Sequence, residues 1–241
     1  MQAVFDKKVT HFLYISPLIK KTAEKGEIKM LEYIFENKRT SQKTALVAVV
    51  ERRDKIKELL GFLSQEQEHQ LRAKIKNSEK LKSEFVVLET GMRKIIVAFV
   101  KKADDMLAFE VLGAKIYALI KKEEEAVILM GKNCPLESVY HLALGIDLAS
   151  YRFDKYHTKR QASDFATLEK IFFKTPKKGL SVQGFETYRA VTTGVRYARD
   201  LTNEPSNNLT PEMMAKDIKR LEYLGLEVEL LDEDKMKEKE F

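Results

Sequence analysis

The sequence contains no tryptophan, one cysteine, four histidines and five prolines among 241 residues. The lone thiol, Cys134, excludes an internal disulfide framework and agrees with a reducing compartment. No two of His11, His69, His141 and His157 stand at the i, i+4 spacing that would set two imidazoles on one helix face for a metal. No stretch approaches the ~20 apolar residues needed to span a bilayer, so no membrane partner is expected. Met1 to Ile15 breaks its apolar positions with Asp6, Lys7, Lys8 and His11, which does not read as a secretory leader. Neither GxGxxG nor GxxxxGK[ST] occurs, so both glycine-rich nucleotide-binding fingerprints are missing. Together these absences point to a cytoplasmic protein.

Charge, by contrast, is plentiful. The chain carries 43 basic and 37 acidic residues, a formal charge of +6. The excess is dispersed through mixed segments such as Glu51 to Lys55 and Lys76 to Lys82, which on helices form solvated faces. A basic surface attracts phosphate whatever the base sequence. These stretches nevertheless lack the interleaved aromatics of a single-strand stacking platform. At this length a chain can bury roughly 70% of its unfolded surface, enough for one large domain or two modest ones.

Apolar periodicity supplies the organisation. Thr44 to Val50 is a β-branched apolar run that reads as a buried strand. Arg52 to Leu63 carries Ile56, Leu59, Leu60 and Leu63 at helical spacing. Phe85 to Glu89 and Ile95 to Val100 read as a hairpin about Gly91. Met106 to Ile120 is helical, with Leu107, Val111, Ala114, Ala118 and Leu119 on one face. Ala126 to Met130 is a further buried strand, and Pro135 suits the start of a helix that is apolar on most sides. Leu168 to Lys174 reads as a later strand at the sheet edge. Alternation of this kind predicts an α/β fold, a mixed sheet with helices on both faces.

Ser181 then caps a predicted helix running to about Leu201, with Val182, Phe185, Tyr188, Val191, Val195, Ala198 and Leu201 on its apolar face. Asn203 to Asn208 is a loop by composition. Thr210-Pro211-Glu212 opens another helix, which Gly225 stops. Leu226 to Leu231 alternates like a strand, and Asp232 to Lys239 begins a helical pattern. The expected division is residues 1–178 as an N-terminal domain, 179–202 as a linker helix and 203–241 as the opening of a second α/β domain.

Two stretches resemble a known family. Ser150-Tyr151-Arg152-Phe153-Asp154-Lys155-Tyr156 is similar to the SYRFDKY-type run closing the N-terminal domain of leucyl aminopeptidases, the cytosol aminopeptidases. Some 40 residues on, Ala198 to Pro205 (ARDLTNEP) resembles that family's ARDLxNxP run, and Ser206 to Glu212 continues the segment. The resemblance covers about Gly145 to Phe241. It implies an N-terminal domain similar to the macro domains, and a hexameric peptide hydrolase. That enzyme removes N-terminal residues such as leucine by means of two divalent ions, zinc, manganese or magnesium. A bridging water attacks the peptide carbonyl while the metals stabilise the developing oxyanion. The family's Asp-Ser/Thr-Gly-Gly and NTDAEGR-type runs do not occur before Phe241. The expectation is therefore a fragment or truncation with no catalytic, cofactor-binding or metal-binding residue of its own, inactive alone and architectural. It would serve hexamer assembly and access control, and would meet peptide only together with the missing domain.

Individual residues fit bland roles. His141 reads as a satisfied core or interface residue, His157 as surface, and Cys134 as a small buried hydrophobe. Asp232-Glu233-Asp234 reads as a cap and turn, and Asn203-Glu204-Pro205 as helix termination. Arg152 and Asp154 are candidates for a buried charge network at the domain junction. The rival functions are a DNA-binding module, which the positive charge permits, and an ADP-ribose-type ligand-binding domain.

Overall fold

A computed structural model describes residues 31–35, 44–51, 63–80, 83–91, 93–159, 161 and 164–240. The expected helix over Arg52 to Leu63 and the leader reading of Met1 to Ile15 lie outside these residues, save Leu63 itself. The described residues fall into two compact units, one between 31 and 196, the other made of Phe153–Lys155 and 197–240.

The larger unit is a six-stranded sheet. Its strands are β1 (Glu32–Ile34), β2 (Ala45–Val50), β3 (Phe85–Glu89), β4 (Lys94–Phe99), β5 (Glu125–Met130) and β6 (Lys170–Lys174). They lie in the order β1-β6-β5-β2-β4-β3. Every pairing is parallel except that of β3 with β4, the predicted hairpin. β2 has parallel neighbours on both sides and is buried at all six positions, which is why its residues form an unbroken apolar run. Alternate residues point to opposite layers: Ala45, Val47 and Val49 enter one core, Leu46, Ala48 and Val50 the other.

Helices close both faces. On one side lies α1 (Gln65–Lys80), which buries Leu71 and Ile75. It begins with a reciprocal capping box: Ser64 N–H donates to Gln67 Oε1 (3.1 Å) and Gln67 N–H to Ser64 Oγ (3.3 Å). On the other side lie α2 (Met106–Ile120) and α3 (Leu136–Ala149). Asp105 caps α2 by accepting from Ala108 N–H at 3.0 Å. α2 and α3 touch through their backbones, because a Cβ on Gly113 would strike the Leu142 carbonyl and one on Gly145 the Glu110 carbonyl. α4 (Val182–Asn203) follows, and Gly184 N–H donates to Ser181 Oγ at 3.1 Å, so Ser181 serves as its cap.

Several expectations are corrected. β6 is not at an edge but lies between β1 and β5, its side chains shared by two neighbours. The buried face of α2 is Phe109, Leu112, Ile116, Tyr117 and Ile120, and Leu107, Val111 and Ala118 face solvent. The large side chains went inward, and both faces of this helix are apolar. On α4 the inward residues are Phe185, Thr192 and Arg196, whereas Val182 and Val191 are exposed. That face is fixed by a charge pair, described below, rather than by the apolar spacing.

In the smaller unit α5 (Pro211–Lys219) starts at Thr210, whose hydroxyl accepts from Met213 N–H. It tightens into a 3₁₀ turn, Arg220–Leu224, that ends at Gly225 with φ +82°, a left-handed conformation glycine adopts without strain. Leu226 to Leu231 is not a strand; no described strand lies beside it to complete a ladder. Asp232 caps the short α6 (Glu233–Glu238) by accepting from Lys235 N–H at 2.9 Å.

Candidate functional site

The most constrained polar site in the larger unit is Asp147 with Arg196. Asp147 sits on α3, a helix otherwise nearly apolar, and is 1% exposed. Arg196 Nη2 donates to its Oδ1 at 3.0 Å, to its main-chain oxygen at 2.7 Å and to Ser150 Oγ at 2.6 Å. From β1, the Tyr33 hydroxyl donates to the same Oδ1 at 3.4 Å. Burial, reinforced by the Asp147 carboxylate, raises the Tyr33 hydroxyl well above its ordinary range. Tyr33 is thus held in its neutral form. The geometry of the cluster is that of a clamp joining α3, α4 and β1.

In the smaller unit Lys155 Nζ donates to Glu204 Oε1 at 2.5 Å. The Glu204 side chain is 13% exposed, far less than an ordinary surface carboxylate. Asn203 Nδ2 donates back to the Arg199 carbonyl at 2.9 Å, closing the end of α4. The Tyr197 hydroxyl donates to the Asp217 carbonyl at 3.1 Å and fixes α5 against the last turns of α4. The shallow hollow in this unit is lined by Lys216, Lys219, Arg220, Glu222 and Tyr223. Two of its cations are already paired, Lys219 with Glu222 and Arg220 with Asp217, each at 2.7 Å. It is not a preformed cradle for phosphate.

The Lys155–Glu204 contact joins the two stretches that carry the family resemblance. Comparison with known proteins agrees. The probable cytosol aminopeptidase of Rhizobium leguminosarum bv. trifolii is 33% identical over 154 residues, 61% of this chain and 31% of the relative. That of a Bradyrhizobium species is 43% identical over 96 residues, 40% of this chain and 19% of the relative. These matches support the leucyl aminopeptidase family over part of the chain. No protein-family model matches it. The tomato leucine aminopeptidase mutant superposes with a TM-score of 0.67 at 17% identity, over 86% of this chain and 46% of that one. The Coxiella burnetii cytosol aminopeptidase gives 0.50 at 16% identity. These two show the fold. The chain spans about a third of the length of the curated aminopeptidases it matches.

Against the two-metal centre of leucyl aminopeptidases, the described residues offer no fit. No three of their His, Cys, Asp or Glu side chains are grouped to hold a metal ion. Asp232 is engaged as a helix cap. Cys134 is buried with its Sγ 4.0 Å from the Val49 carbonyl, and burial pushes its thiol up to about 11. It is the small buried hydrophobe expected. His141 is satisfied, with Nδ1 2.7 Å from Glu110 Oε1 and its ring edge-on to Tyr188. His157 and His69 are exposed, and His11 lies outside the described residues.

Arg152 donates to the Asp164 carbonyl at 2.9 Å and lies 5.9 Å from the Phe165 ring centre. Among the described residues the fully buried ion pair is the one at Asp147 and Arg196, which sequence reasoning missed. An acid inside an apolar helix and an arginine on the inward face of another were the available signals. The buried side of Glu204 was also missed, since helix termination alone explains the Asn-Glu-Pro composition. Among the described residues no helix is long and apolar enough to cross a membrane.

Proposed function

We propose that this chain is the N-terminal portion of a leucyl aminopeptidase, a cytoplasmic enzyme that removes N-terminal amino acids from peptides with two divalent ions. Residues 1–178 form its N-terminal domain, 179–202 the linker helix and 203–241 the opening of the catalytic domain. The observation that carries this reading is Lys155 on Glu204, which ties the SYRFDKY run to the ARDLTNEP run inside a chain matched by curated cytosol aminopeptidases. By themselves these residues are architectural, serving assembly of a homo-oligomer and control of access to the active sites.

The test has two parts. An antibody against residues of the larger unit should detect a native product well above 27.9 kDa, and that product should hydrolyse leucine p-nitroanilide with manganese or zinc. The 241-residue chain should show no turnover with either ion. Turnover by this chain would overturn the architectural reading. A full-length product without aminopeptidase activity would overturn the enzymatic one.

A further inference from the structure

β3 lies at one edge of the sheet, yet its residues are those of an interior strand. Val86 and Leu88 enter the core beneath α1, while Phe85 and Val87 pack, partly buried, against the opposite core. The run Phe85-Val86-Val87-Leu88 is apolar throughout and free of proline, a composition that pairs readily with another extended chain. Among the described residues no strand lies on the far side of β3. An edge of this kind offers a row of N–H and C=O groups to any extended peptide.

The register fixes which groups face out. Phe99 N–H donates to the Glu84 carbonyl at 2.9 Å, and Thr90 N–H to the Arg93 carbonyl at 3.0 Å. In an antiparallel pair, bonded residues alternate with unbonded ones. Val86 and Leu88 therefore bond to β4, and Phe85, Val87 and Glu89 turn their backbone groups outward. Side chains of this same chain already occupy the first two. The Ser83 hydroxyl donates to the Phe85 carbonyl at 2.7 Å and accepts from Phe85 N–H at 3.3 Å. From α1, Lys74 Nζ reaches over the edge and donates to the Val87 carbonyl at 2.8 Å. Glu89, the third, sets an exposed carboxylate at the end of the strand. Buried Leu71 and Ile75 already fasten α1 to the sheet, so the lysine is not needed for that.

We infer that Lys74 and Ser83 form a guard that closes the β3 edge to strand addition, and that the occupant they exclude is an extended apolar segment resembling β3 itself. To pair here, such a segment must displace both the ammonium and the hydroxyl from the backbone groups they hold.

The probe is a fluorescent peptide with the sequence of residues 84–90, EFVVLET, titrated into the 241-residue chain and followed by anisotropy. Lys74→Ala is the principal variant, because alanine is the best helix former and keeps α1 intact. It should bind the peptide at least about tenfold more tightly than the unmodified chain, the worth of one hydrogen bond to a charged group. Ser83→Ala gives a second, independent reading in the same direction. Lys74→Arg, which keeps a cationic donor, should bind no better than the unmodified chain. Adding Glu89→Pro to Lys74→Ala should abolish the gain, since proline removes an outward N–H and spares the bonds to β4. Proline restores no stability lost with the lysine, so its effect separates edge pairing from mere loosening of the fold. Equal binding by the unmodified chain and Lys74→Ala, or a gain that survives Glu89→Pro, would overturn the guard. Unchanged far-ultraviolet circular dichroism and urea midpoints would confirm that the variants fold.

Discussion

Lys155 and Glu204 stand 49 positions apart in sequence and 2.5 Å apart in space. The lysine is 42% exposed and the glutamate 13%. Water screens the lysine end, so the pair is worth about 1 kcal/mol or less to stability. Glu204→Gln should lower the urea midpoint only slightly. Lys155→Glu should cost more, because it sets two carboxylates against each other. Limited proteolysis between 151 and 159 should accelerate in the second variant and hardly change in the first.

The Asp147–Arg196 pair should behave differently, because its side chains are 1% and 8% exposed. Removing one partner strands a buried charge, at about 3–5 kcal/mol. Arg196→Met should show this loss in urea unfolding monitored by tyrosine fluorescence. Arg196→Met combined with Asp147→Leu should recover most of it. Among the described residues Asp147 Oδ2 and Arg196 Nε have no hydrogen-bond partner, so the native pair is incompletely compensated there.

Cys134 predicts an alkaline limit. Burial raises its thiol from 9.0 to about 11, so the folded state holds the proton more tightly than the unfolded chain. The stability this supplies is complete below pH 9 and is lost between 9 and about 11. Urea midpoints should fall across that window, and less steeply in Cys134→Ala. Ellman's reagent should not label the native protein at pH 8 and should label it at once in denaturant.

Three glycines separate close packing from mere flexibility. Gly113→Ala and Gly145→Ala each drive a methyl group into a facing backbone carbonyl, and each should cost more than about 2 kcal/mol. Gly194 lies mid-helix in α4 with nothing within 4 Å of an added Cβ. Gly194→Ala should stabilise by roughly 0.5–1 kcal/mol through helix propensity. Thermal melts of the three variants test this directly.

What could be read from the sequence was what repeats locally. β2 and β5 are continuous apolar runs because parallel strands are buried on both faces, and the caps Ser181, Thr210 and Asp232 announce themselves by residue type. α1 escaped notice because only Leu71 and Ile75 mark its inner face across 16 residues. The inner face of α2 was misread because both its faces are apolar. The interior place of β6 depends on β1, a strand of only three residues, too short to announce a partner. Leu226 to Leu231 alternates well, yet alternation specifies a strand only where another lies alongside. Both charge pairs bridge 49 positions, a relation that only the fold creates.

The placement of β6 between β1 and β5 also sets an order of events in time. Among the described residues β1 pairs only with β6, so at the ribosome it emerges more than 130 residues before its partner. At roughly 5–20 residues per second, β1 waits several seconds or longer while β2, β4 and β5 are already free to associate. During that interval the nascent sheet has an open edge at β5, where β6 will later insert. The arrival of residues 170–174 is therefore the step that both fills the gap beside β5 and captures β1.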